Sequence, residues 1–172
     1  SWSPDLMGPA LEALDAWRAA PGIVIDVRAN GGGDELAARS VAARFASEPA
    51  VYSKNQYREG EGFGPVMERK IEPAPAEQRC KGRVVVLMGP ACMSTCESFL
   101  LMMRHGAKAP LVGGRSRGSS GNPKPCDLGN GVTAVLPSWR DLLPDGTVLE
   151  GVGVEPDEAV SPAGGGDAVL EA

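Results

Sequence analysis

"VVVLMGPACMSTCESFLLMM", residues 84–103, is the stretch that decides the fold. Val84-Val85-Val86-Leu87-Met88 is a continuous apolar run of strand length. A strand buried on both faces of a parallel sheet reads this way. Gly89-Pro90 breaks the run, and Cys96, Phe99, Leu100 and Met103 then recur at helical spacing. At the junction, Ser94-Thr95-Cys96-Glu97 fits the capping box S-x-x-E. The Ser94 hydroxyl therefore has two compatible readings. It caps the helix, or it stands exposed beside free helix N–H groups that can stabilise an oxyanion, as a nucleophile requires. The elbow pattern G-x-S-x-G is absent.

The same strand–turn–helix pattern occurs earlier. Leu6, Ala10, Leu14 and Trp17 predict a helix over 5–19, ended by Pro21-Gly22. Ile23 to Val27 reads as a buried strand. "RANGGGDE" follows, with Asp34 placed to cap a helix over 35–46 whose Leu36, Val41 and Phe45 face inward. Three successive glycines let a backbone approach a ligand and turn N–H groups into a cavity. No Lys-Ser/Thr pair follows them, and G-x-G-x-x-G is not completed, so a nucleotide loop is disfavoured. Residues 51–72 read as strand pieces with a break at 60–64, and "EPAPAEQ" as a surface connection. Leu111-Val112 is a short apolar stretch, 113–125 a long polar loop, and 132–136 a strand before the turn at 144–146. Strands alternating with helices predict an α/β layered domain spanning 1–172.

Composition narrows the function. The net charge of -5, without blocks of like charge, argues against nucleic acid. No apolar run approaches the roughly 20 residues of a membrane span. The four cysteines, at 80, 92, 96 and 126, form no C-x-x-C pair, and His105 is the single histidine, so no metal site is expected. Cys92 and Cys96 read as buried packing groups. A Cys80–Cys126 disulfide is left open by the sequence. Asp26 and Arg28 read either as a structural pair holding the glycine turn or as a receptor, through Arg28, for a substrate carboxylate.

"GIVIDVRANGGG", "VVVLMGPACMSTCE" and "GVGVEPD" occur in this order and resemble the carboxyl-terminal processing (tail-specific) serine peptidases. The closing "GGGDAVLEA" resembles the start of that family's C-terminal helix. The resemblance implies a ClpP/crotonase-like α/β fold, endoproteolysis of polypeptides and no cofactor. It places the nucleophile on Ser94 and the oxyanion N–H groups on Thr95 and on Gly32 or Gly33. It also implies an extracytoplasmic location and a homo-oligomer.

The chain departs from the family's usual Ser-Lys pair. The lysine position, 25 residues after Ser94, holds Ser119, and Lys124 lies five residues further on. The tricorn-like branch uses Ser, His and Glu, and Glu150, just before "GVGVEPD", matches its Glu. His105 lies 11 residues beyond Ser94, roughly 16 Å along a helix, and cannot serve as base. The resemblance implies a histidine from an N-terminal segment preceding Ser1. Two other readings remain: a non-catalytic binding module similar to retinoid-binding relatives, and a small-ester hydrolase on the same scaffold.

Overall fold

The computed structural model describes residues 1–160. The helix start read into "GGGDAVLEA" lies outside them. Three parallel strands form the heart of one sheet: β1 (Gly22–Asp26), β5 (Arg83–Met88) and β6 (Leu111–Gly113), with the short β10 (Glu158–Ala159) beyond β6. Val24 pairs with Val85 and Val86 with Leu111, so the two apolar runs of the sequence lie side by side. A second, antiparallel sheet is built on the long β2 (Ala50–Glu59). β3 (Gly62–Phe63) and β4 (Met67–Ile71) pair with it, and so does β9 (Trp139–Leu142). β7 (Pro123–Asp127) and β8 (Thr133–Pro137) form an exposed hairpin.

Three helices complete the fold. α1 (Pro4–Ala16) precedes β1, α2 (Glu35–Ala42) follows the glycine turn, and α3 (Thr95–Gly106) follows β5. Phe99, Leu100, Leu101, Met102 and Met103 are all buried, so α3 is apolar around its whole circumference. It packs against β2 and α2. Helix α2 meets it with Ala37, Ala38, Val41 and Ala42, small side chains that permit close approach.

The structure corrects four expectations. Strand β1 is not buried on both faces: its residues alternate in exposure, and Val24 is 61% exposed. Leu36 is 71% exposed, because α2 turns its alanine stripe inward instead. α1 buries Leu14 with Met7 and Leu11 against the core, which leaves Leu6 and Trp17 on the surface. The stretch 113–125 is not wholly irregular: Gly113 closes β6 and Pro123 opens β7. Cys92 and Cys96 are buried as expected, the Cys92 thiol donating to the Val27 carbonyl at 3.1 Å. Cys80 and Cys126 are both free thiols.

Phe99 is fully buried, 4.6 Å between ring centroids from Trp2. Phe99→Ala is expected to cost about 3–5 kcal/mol, whereas Leu36→Ala should stay within about 0.5 kcal/mol. Urea unfolding midpoints of the two variants would measure the contrast.

Candidate active site

Three turns leave the carboxyl ends of neighbouring parallel strands: 27–34 after β1, 89–94 after β5 and 114–120 after β6. In open parallel sheets this end is where ligands bind. The second turn places Ser94 at φ 56°, ψ −129°, a backbone conformation that costs a non-glycine residue of order 1–3 kcal/mol. Such strain persists only where surrounding bonds over-determine it.

Those bonds converge on Glu97. Its side chain is fully buried in the first turn of α3. One carboxylate oxygen accepts the Ser116 hydroxyl and the Gly118 N–H, both at 2.6 Å. The other accepts the N–H groups of Ser119 at 2.9 Å and Ser94 at 3.1 Å. The Ser94 N–H is shared with the Ser119 carbonyl at 2.7 Å. The capping-box pattern is therefore present, and its glutamate reaches well beyond the helix it caps. It fastens the third turn to the second.

The glycine turn is fastened to the same point. The Thr95 hydroxyl donates to the Gly33 carbonyl at 2.7 Å. Gly32 has φ 101°, and a Cβ there would lie 2.8 Å from the Ser94 Cβ. Gly33 has φ 133°, and a Cβ there would collide with the Trp2 carbonyl. These two positions need glycine both for conformation and for space. The Gly32 N–H is taken by the Asn30 side chain at 2.9 Å. No acceptor among the described residues takes the N–H of Gly33 or of Thr95.

A cleft of about 470 Å³ opens here, lined by Gly33, Glu35, Ser94, Thr95, Ser120 and Trp139 among others. Sequence reasoning did not find Ser120, Trp139 or Asp141, which gather at one side of it. The Ser120 N–H donates to Glu150 at 3.0 Å, its hydroxyl to Asp141 at 2.9 Å, and its carbonyl accepts the Trp139 indole N–H at 2.7 Å. Asp141 is fully buried, and burial raises its pKa to about 6 against the pull of Arg69. Arg69 bridges Asp141 to Glu35, which also accepts the Tyr52 hydroxyl. Glu150 thus sits one hydrogen bond away from a residue of the cleft.

The other candidates are elsewhere. His105 lies at the far end of α3, and burial, aided by Arg104 and Lys108, lowers its pKa. Lys124 projects from the exposed hairpin strand β7. Asp26 and Arg28 form an ion pair at 2.6 Å, and hydrogen bonding from Arg28 holds the Asp26 carboxyl below its usual range. That favours the structural reading of the pair.

Residues 3–160 match peptidase family S41. The chain belongs to this family. Among solved structures, it resembles a candidate peptidase from Parabacteroides merdae, with 26% identity and a TM-score of 0.85 over 96% of this chain and 54% of that one. The photosystem II D1 C-terminal processing protease shares 21% identity and the fold, at TM-score 0.72 over 94% of this chain and 40% of that one. The tricorn protease shares the fold at 18% identity and TM-score 0.63, over 90% of this chain and 14% of that one. The S41 chain thus spans about half the length of the first and less of the others. A comparison with curated protein sequences gives no match.

Both Glu97 oxygens face donors alone, so an amide in either orientation points its N–H₂ at N–H or O–H groups. Glu97→Gln is expected to destabilise the fold by about 2–4 kcal/mol. Glu97→Ala should cost at least as much. Thermal unfolding of both variants checks this.

Proposed function

We propose that this chain is the core domain of a longer serine endopeptidase, with Ser94 as nucleophile. The observation that carries the reading is the strained Ser94 backbone, held beside two N–H groups, of Thr95 and Gly33, that have no acceptor of their own. Backbone strain of this kind concentrates at functional sites. The Ser94 Oγ attacks the scissile carbonyl carbon while a base takes its proton. The carbonyl oxygen becomes an oxyanion, received by the N–H groups of Thr95 and Gly33. Gly32 is the weaker candidate for that task, because Asn30 occupies its N–H. As the C–N bond breaks, the base returns its proton to the leaving amine. Water then hydrolyses the acyl ester on Ser94 and restores the hydroxyl.

The base we assign to a histidine from a segment preceding Ser1, and its orientation to Glu150. The substrate is a polypeptide, docked beside the cleft in extended form. An extracytoplasmic location and self-association follow from the family resemblance. Among the described residues, no helix is long and apolar enough to cross a membrane.

A fluorophosphonate probe tests this directly. Full-length protein should be labelled, and Ser94→Ala should abolish labelling. The 172-residue chain alone should stay unlabelled for want of its base. Labelling of that chain too would move the base into it and make Lys124 the candidate. No labelling of either form would overturn the peptidase reading, ester hydrolysis included, in favour of a binding module.

A further inference from the structure

The Ser120 bonds carry a consequence for Glu150. Ser120 is fixed on three sides, and the side opposite Glu150 is a buried carboxylic group. We propose that Asp141, acting through Ser120, is a positioning residue for Glu150 and slows the site in acid. This rests on Glu150 being the group that orients the base.

The groups facing Asp141 come from several elements. Arg69 on β4 approaches at 3.4 Å, and the Ser120 hydroxyl donates at 2.9 Å. Its own strand contributes the Leu142 N–H at 3.1 Å. The carboxylate of Glu97 on α3 and the phenol of Tyr52 on β2 also lie within its field. Glu35 on α2 shares Arg69 with it. Ionised, Asp141 accepts the Ser120 hydroxyl as a charge-assisted hydrogen bond and holds that residue against Glu150.

The protonated form has a partner waiting. Asn55 stands directly opposite Asp141 in the β2–β9 register. Directly opposed residues share a face of the sheet, with Cβ atoms about 5 Å apart. The Asn55 side-chain oxygen is buried and receives no hydrogen bond among the described residues. A proton on Asp141 can donate to that oxygen. The carboxyl keeps a neutral oxygen toward the Ser120 hydroxyl, but that bond loses its charge assistance, and Ser120 loosens its hold on Glu150. Burial raises the Asp141 pKa to about 6, so the exchange falls in mildly acidic solution. The ionised, Ser120-holding form prevails above that pH and is lost below it.

Two readouts on the full-length protein test the relay. The first is carboxyl ¹³C NMR, with Glu150→Gln identifying the Glu150 resonance. That resonance should show an inflection near pH 6 that vanishes in Asp141→Asn and in Ser120→Ala. The second is the rate of fluorophosphonate labelling. Its acid limb should fall more steeply than one proton allows over about one pH unit near pH 6, one proton going to the base and one to Asp141. Asp141→Asn should label about 10-fold more slowly at pH 8, and its acid limb should fall with a slope of about one. A Glu150 inflection that survives Ser120→Ala overturns the relay, and so does an acid limb unchanged in Asp141→Asn. A wild type that never labels removes the peptidase reading instead. The carboxyl titration then decides alone whether Asp141 controls Glu150.

Discussion

A fully buried carboxylate needs donors, and Glu97 has them on both oxygens. Hydrogen bonds to a charged group contribute roughly 1.5–3 kcal/mol each. Taken together they offset a desolvation cost of several kcal/mol. They also outweigh the 1–3 kcal/mol of strain at Ser94. Position in the first turn of α3 adds a favourable interaction with the helix dipole. The carboxylate has nowhere else to go, because α3 is buried all round. The core thus acts on the site at one remove. It fixes the helix, the helix fixes Glu97, and Glu97 fixes the backbone at 94 and at 116–119.

The glycine turn is positioned by a different means, namely close approach. Trp2 donates its N–H to the Gly32 carbonyl, and its own carbonyl accepts the Asp34 N–H. The turn is thereby laced to the chain ahead of α1, while Thr95 ties it to α3. The parallel pairing of β1, β5 and β6 brings the three turns to one edge, and side-chain bonds only adjust them. This division explains why the site can hold strain: the sheet brings the three turns to one edge, and the buried carboxylate fastens two of them together.

Much of this was legible in the sequence, for definite reasons. Residues 84–88 are apolar without alternation, as a doubly covered parallel strand requires, and β5 is buried toward its carboxyl end. In 23–27 Asp26 interrupts the run, and β1 is exposed at alternate residues, Val24 among them. Ser94, Thr95 and the glycines stood out because a turn between strand and helix leaves N–H groups without partners. The misses also have physical causes. Leu36 was placed inward by its own hydrophobicity, but helix–helix approach favoured the alanines beside it. Strand β9, "WRDL", was not read as a strand because two of its four residues are charged. The charge of Asp141 is buried, and its partners Ser120 and Arg69 lie 21 and 72 residues away. No local pattern encodes such a pairing. Glu97 was legible as a cap, but its reach to 116–119 depended on where β6 lay.

The serine at position 119 becomes intelligible on this footing. Residue 119 serves the site through its backbone: its carbonyl accepts the Ser94 N–H and its own N–H binds Glu97. Neither bond involves the side chain. A lysine could be exchanged for serine here without disturbing the turn that presents Ser94. The elbow and the two N–H groups beside it are thus built independently of the base, and the base can be supplied from a different quarter of the protein. Glu150 fits that arrangement. It is tethered to the cleft by the backbone of Ser120, the next residue along the same turn. On the function proposed above, a carboxylate held from that side steadies an incoming imidazole, whereas a Ser-Lys pair would have no use for it.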